Sequence, residues 1–150
     1  MSRSKKKYEK KAFESTGATN DTSSNIYISM LLSPAWIALS GSQKALYLYC
    51  KAQYYAEKSK PDNNPLRFTM NRSKWLLLYK LYTSNSAGFY RDMAALIEKG
   101  FIACVGCGAI SRTKSIYEFS SMWQKYGTED FEIPVTNTTM AMQGIFKKKR

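Results

Sequence analysis

From Lys44 to Lys58 the chain contains neither proline nor glycine, and Ser40-Gly41-Ser42-Gln43 stands directly before that run. A hydroxyl at the N-cap with an amide three residues on is capping-box spacing, in which each side chain satisfies a backbone N–H of the other residue. Together these features predict one long helix in the first half of the chain. Leu46, Tyr49, Cys50 and Gln53 share one face of it, and Ala45, Leu48 and Ala52 widen that face, so most of the helix is expected to be buried. Pro61-Asp62-Asn63-Asn64-Pro65 ends it in a loop.

Shorter elements flank this helix. Residues 12–24 are polar and read as a linker, with order beginning near Ile26. The stretch Ile26 to Leu32 is apolar enough to be expected in the core. Ser33 is placed to cap a short helix over Pro34 to Leu39, with Pro34 at the first helical position, where its missing N–H costs nothing. Leu66-Arg67-Phe68-Thr69 fits one small strand. Asn71 to Tyr82 is expected to be a second helix, capped by Thr69 or Asn71, with Trp75, Leu78 and Leu81 or Tyr82 inward. Thr83-Ser84-Asn85-Ser86 is a cluster of turn and cap residues.

A third helix then runs from about Asn85 to Lys99, weakened in its first turn by Gly88. Phe89, Met93, Leu96 and Ile97 form its apolar stripe, and Gly100 sits where a helix-ending glycine belongs. Phe101 to Val105 and Ser115 to Phe119 are β-like runs, joined by a loop that holds Arg112 and Lys114. Ser120 to Trp123 starts a short closing helix.

The balance of charged residues narrows the chemistry. There are 23 Lys and Arg against 11 Asp and Glu, a net charge of +12, and no histidine. Without histidine neither a Ser-His-Asp nor a Cys-His nucleophile system can be assembled. Three cysteines fall one short of an all-thiolate zinc site within one chain. Their odd number argues against a secreted disulfide framework and fits a reducing cytoplasm. No apolar run approaches the ~20 residues of a bilayer-spanning helix. The basic N-terminus is not followed by the apolar segment of a secretion signal. The expectation is a non-catalytic cytoplasmic protein, without cofactor, metal or membrane.

Positive charge is concentrated in particular segments. Residues 61–83 carry a net +3, residues 84–108 carry none, and residues 135–150 carry +4. The runs Lys5-Lys6-Lys7, Lys10-Lys11 and Lys147-Lys148-Lys149-Arg150 lie in polar sequence and read as disordered arms. The chain therefore divides into a basic arm over 1–24, a folded domain over 25–127 and a flexible tail with a basic end over 128–150.

Helix, short strand, helix, polar turn, helix and a hairpin with a basic tip make up the winged helix–turn–helix arrangement, an α+β fold that is mostly helical. Its use follows from dimensions, since the major groove of DNA admits one α-helix. In that geometry the second helix of the pair inserts its N-terminal residues while the first crosses the backbone. Asn85, Ser86, Tyr90 and Arg91 then fall at base edges, with Thr83 and Ser84 at the same helix start, where free N–H groups favour anions. Arg72, Lys74 and Lys80 on the preceding helix, with Arg112 and Lys114 at the wing tip, fall at phosphates. Helix capping is the competing role for Asn85 and Ser86.

The segments Phe68-Thr69-Met70-Asn71, Phe89-Tyr90-Arg91-Asp92, Leu96-Ile97-Glu98-Lys99-Gly100-Phe101 and Ser115-Ile116-Tyr117-Glu118-Phe119 resemble winged-helix proteins of bacterial plasmids and conjugative elements. That group includes replication-initiator domains and transfer-origin accessory proteins, and the resemblance covers about residues 26–127. It implies site-specific binding of double-stranded DNA without catalysis, in replication or transfer of a mobile element. Replication or transfer proteins are implied as further partners, and a homodimer is compatible with the arrangement. Two other roles remain open, a protein-interaction winged helix and a transcriptional regulator. The third helix, which has no net charge, and the aromatic content favour the interaction role.

Two further motifs have competing readings. Cys104-Val105-Gly106-Cys107 has C-x-x-C spacing, but it ends a predicted strand rather than opening a helix, so reduced structural cysteines are expected. The 11 tyrosines could stack bases of a single strand, although several fall on apolar helices where packing is the expected role.

Overall fold

A computed structural model describes residues 9–56, 58–106 and 115–134. The elements run α1 (Ile28–Leu31), α2 (Pro34–Ile37), α3 (Gly41–Ala56), β1 (Arg67–Thr69), a π-helical turn (Ser73–Leu78), α4 (Ala87–Glu98), β2 (Ile102–Gly106) and β3 (Ile116–Phe119). Single 3₁₀ turns at Pro61–Asn63 and Met122–Lys125 follow α3 and β3. The strands form one antiparallel sheet in the order β1-β3-β2. The fold is therefore α+β, with helices packed around a small sheet. Residues 9–24 form exposed turns without helix or strand. The terminal basic runs at 5–7 and 147–150, and the hairpin tip with Arg112 and Lys114, lie outside the described residues.

The local signals at the helix starts act as their chemistry requires. Ser40 N–H donates to Gln43 Oε1 at 2.9 Å and Gln43 N–H donates to Ser40 Oγ at 3.4 Å, closing the capping box. Ser33 Oγ accepts from Trp36 N–H at 3.2 Å, with Pro34 opening α2. At the other end of α3, Lys60 Nζ donates to the carbonyls of Gln53 and Tyr54 at 2.6 and 3.0 Å. A cation there satisfies acceptors that have no partner within the helix and opposes the negative end of its dipole.

Two aromatic groups hold the elements together. Phe101 lies 5.1 Å from Tyr47, 6.0 Å from Trp36 and 5.9 Å from Trp123 between ring centres. This joins α2, α3, the start of β2 and the closing turn. Trp75 stacks on Phe89 at 5.0 Å, joining the π turn to α4. The stripe Phe89, Met93, Leu96 and Ile97 is buried throughout, and each such side chain contributes about 1.5–3 kcal/mol relative to exposure. In the sheet Phe68 pairs with Tyr117, and Tyr117 with Cys104. The β2–β3 ladder shifts register between Cys104 and Gly106, a bulge at the base of the hairpin. On β1, Arg67 sits opposite Glu118 and bonds it at 2.9 Å while also holding Asp62 at 2.6 Å.

Three expectations from the sequence are corrected. The stretch at Ile26–Leu32 is not buried as a unit: Met30 is in the core, but Tyr27, Ile28 and Leu32 are 67% or more exposed. A single turn of helix can turn only one of these side chains inward. On α3 the buried face comprises Leu46, Tyr47, Cys50 and Gln53, whereas Tyr49 lies at its edge against Tyr79, 4.7 Å between rings. The helix expected over Asn71–Tyr82 is the six-residue π turn.

In that turn Tyr79 N–H bonds to the Lys74 carbonyl at 2.8 Å, five residues back. Two adjacent residues, Lys74 and Trp75, both reach inward here, and the wider π winding accommodates them. The change of phase leaves Leu78 exposed, where α-helical spacing would bury it. Asn71 is the cap, its Oδ1 accepting from Lys74 N–H at 3.2 Å.

Candidate nucleic-acid interface

The start of α4 is built by its own sequence. Asn85 Oδ1 accepts from Ala87 N–H at 3.0 Å, and Ser86 C=O accepts from Tyr90 N–H at 3.0 Å. Thr83, Ser84, Asn85 and Ala87 are exposed and Ser86 is half-buried. Asn85 is thus a cap through its carbonyl oxygen, as hydroxyl and amide side chains commonly are at helix starts. Its Nδ2 group makes no hydrogen bond among the described residues, so capping and outward recognition do not compete for the same atom.

One turn on, Tyr90 and Arg91 are exposed while Asp92 is 2% exposed. Arg91 folds back beside Gly88 and Tyr82: a methyl group on Gly88 would lie 3.7 Å from Arg91 Nη2 and 3.5 Å from the Tyr82 ring. Asp92 is turned the other way and accepts from Tyr82 O–H at 2.7 Å. Burial, and then that hydrogen bond, push the Tyr82 phenol well above its ordinary range, so it remains a donor. The consequence is electrostatic. Asp92, the acidic residue of the first two turns of α4, is withdrawn from the surface that presents Tyr90 and Arg91.

The basic residues ahead of α4 divide into two kinds. Arg72 and Lys80 are exposed. Lys80 adopts φ +52, which turns the chain sharply between the π turn and α4. Lys74, expected at phosphates, is instead directed into the fold. Its Nζ donates to Gln53 Oε1 at 2.5 Å, to the Thr69 carbonyl at 2.8 Å and to Thr69 Oγ1 at 3.0 Å. The ammonium joins α3, β1 and the π turn, and a phosphate contact would require breaking these bonds. Its inward direction follows from the acceptors of Gln53 and Thr69 on α3 and β1, which local periodicity does not register.

Arg72 thus lies directly before the π turn, Lys80, Thr83, Ser84, Asn85 and Ser86 in the turn that follows it, and Tyr90 and Arg91 in the first part of α4. Exposed Leu77 and Leu78 lie in the same stretch, and Leu78 was expected inward. Buried Asp92 also escaped the sequence reading, although a helical wheel places it beside Phe89 and Met93. Among the described residues, no helix is long and apolar enough to cross a membrane, and no three His, Cys, Asp or Glu side chains cluster as metal ligands.

Cys50 and Cys104 have no exposed surface. Burial pushes the Cys50 thiol far above its ordinary range, and Cys104 Sγ lies 3.5 Å from the Gly106 carbonyl on the strand. Cys107 lies outside the described residues. Since the thiolate is the reactive form, Cys50 and Cys104 are expected to resist alkylation in the native protein and to react on unfolding. Mass mapping after iodoacetamide treatment, with and without denaturant, checks this; rapid native labelling at Cys50 would contradict the packing.

Comparison of the chain with known protein families, curated proteins and solved structures finds no match.

Proposed function

We propose that the chain is a non-catalytic winged-helix protein that binds double-stranded DNA, with α4 as the recognition helix. The observation that carries this reading is the leading edge of α4. It is exposed over Thr83–Asn85, Ala87, Tyr90 and Arg91, while Asp92 is withdrawn into the core. Element order supports it: a helix, a short strand, two helical segments around a polar turn, then a hairpin, with the strands ordered β1-β3-β2. In this reading Arg91 and Tyr90, with the Asn85 amide, meet base edges. Arg72 and Lys80, with Arg112 and Lys114 at the hairpin tip, meet phosphates. Contacts of the second kind give affinity without sequence preference, and those of the first kind give preference. The resemblance to plasmid and conjugative-element proteins makes replication or transfer of a mobile element the proposed setting, in the cytoplasm.

Selection of bound duplexes from a random pool tests the reading, with a short enriched motif as the expected result. On that motif Arg91→Ala is expected to cost about 1–3 kcal/mol and to relax preference at one position. Arg72→Ala is expected to weaken specific and random duplexes alike and to lower the salt slope by about one. Fluorescence anisotropy over a salt series measures both effects. Equal losses on both duplexes from both variants would remove the assignment of α4.

A second reading rests on Leu77 and Leu78, which are 67% and 66% exposed beside this surface. Exposed leucines in the stretch leading to α4 suit a protein-interaction module. Absence of random-duplex binding at micromolar protein and low salt would favour it.

A further inference from the structure

A groove of about 550 Å³ opens between α1, α3, the end of β3 and the closing 3₁₀ turn. None of its lining residues belongs to the π turn, to α4 or to the turn between them. Aromatic rings share its walls with serine and amide side chains: Tyr27, Tyr54, Tyr55, Phe119 and Trp123 line it. The α3 contribution comes from a stripe of its own, Tyr47, Lys51, Tyr54 and Tyr55, at spacings of four, three and one. Tyr47 belongs both to this stripe and to the buried face, whereas Lys51, Tyr54 and Tyr55 lie off the Leu46, Cys50 and Gln53 positions that face the core.

Tyr54 and Tyr55 are 37% and 36% exposed, and Tyr27 is 72% exposed. Among the described residues, Lys51 is the cation that lines the groove and it has no hydrogen bond or ion pair, while Lys60 Nζ lies 5.6 Å from the centre of the Tyr54 ring. Among the described residues, no carboxylate lines the groove. Partial burial already lowers the affinity of the Lys51 amine for its proton, so an anion arriving there would be stabilised by an under-solvated cation.

Tyr54 packs edge-on against Tyr55 and Phe119, and Trp123 stacks on Phe101 with one face, so the partly exposed tyrosines and the other side of Trp123 are what the groove offers beside Lys51. Such a lining suits a ligand with a flat face and a negative charge a few ångströms away. An apolar peptide would satisfy the rings and leave Lys51 without a counterion. A duplex would satisfy Lys51 but would keep its bases stacked on each other. We propose that this groove binds an unpaired nucleotide, its base against the tyrosine rings and Trp123 and its phosphate at Lys51. That makes it a single-strand site separate from the duplex surface at α4. Base-on-ring stacking tolerates any base, so the site is expected to be indifferent to sequence.

Tryptophan fluorescence of the full-length protein tests the proposal. Trp36 and Trp75 are 7% and 3% exposed, whereas Trp123 lines the groove, so a stacking base quenches Trp123 selectively. Titration with a twelve-nucleotide oligothymidylate is expected to quench, and a blunt duplex of equal charge is expected not to. Tyr55→Ala and Lys51→Gln are each expected to weaken the oligothymidylate midpoint roughly tenfold while leaving duplex anisotropy unchanged. Both replace partly exposed side chains, and far-ultraviolet circular dichroism checks that the fold is kept.

Thymidine monophosphate separates the two sources of the ligand. Quenching only at far higher concentration than the oligomer marks a strand site, and an equal midpoint marks a free-nucleotide site. Oligomer binding without quenching, or midpoints unmoved in both variants, would overturn the proposal. Neither result bears on α4, whose test uses duplex.

Discussion

Replacing Gly100 with alanine is expected to destabilise the domain by about 3 kcal/mol or more. Gly100 has φ +85, in the left-handed region. A side chain in that conformation costs roughly 1–2 kcal/mol by itself. The larger part comes from space. An added Cβ would lie 2.6 Å from Trp123 N and 2.7 Å from Met122 C, which are backbone atoms and cannot rotate away.

The surrounding hydrogen bonds explain why the backbone does not simply shift. Gly100 N–H donates to the Ile97 carbonyl at 3.1 Å and Phe101 N–H to the Leu96 carbonyl at 3.0 Å, the paired bonds of a Schellman ending to α4. The Gly100 carbonyl in turn accepts from Trp123 N–H at 3.0 Å, seating the closing 3₁₀ turn. One residue thus ends α4, directs the chain into β2 and receives the segment after β3. Thermal denaturation of Gly100→Ala checks the expectation; a midpoint within a degree or two of the parent would contradict it. Gly127→Ala is the matching control, because φ there is also positive, at +83, but no atom lies within 4 Å of its added Cβ. That variant isolates the conformational part of the cost.

The second large effect is at Lys74. Lys74→Ala is expected to lower stability by about 2–4 kcal/mol, the loss of a charge-assisted bond together with acceptors left unpaired. The acceptors at stake are Gln53 Oε1 and the Thr69 carbonyl, and Gln53 is 1% exposed. Denaturant unfolding is expected to show a lower midpoint with unchanged slope. Gln53→Leu should be costly alone yet should add less than its own cost to Lys74→Met, since residues sharing one buried network are not additive. Additive losses would show that the bonds are not coupled. Duplex affinity, measured where both proteins are folded, is expected to change less for Lys74→Ala than for Arg72→Ala.

Lys74 also shows where the sequence stops being informative. Local chemistry was legible: the capping box at Ser40, the Ser33–Pro34 helix start, the apolar stripe of α4 and the glycine at 100 depend on neighbours within a few residues. The strands near Phe68, Phe101 and Ser115 were legible for the same reason. The direction of Lys74 was not, because it depends on the acceptors of Gln53 and Thr69 on α3 and β1. The exposure of Leu78 depends on a π winding that α-helical periodicity does not register. Tyr27, Tyr54 and Tyr55 line a groove that exists only once α1, α3 and the closing turn have come together, so tyrosine content alone pointed to packing. The Asn85 carbonyl oxygen serves the helix start, as the capping alternative expected, and its amide makes no hydrogen bond among the described residues.

The π winding at Ser73–Leu78 has a wider consequence. A widened turn carries more residues over the same axial path than an α-helical one, so it behaves as a built-in insertion. A chain shortened by one residue there could close into an ordinary helix with both flanking anchors, Asn71 and Phe89, kept in place. What would change is the rotational setting of Lys80 and the turn after it. Divergence among descendants of this sequence could thus re-aim the basic approach to α4 through a change in length, with no exchange among the residues that α4 presents.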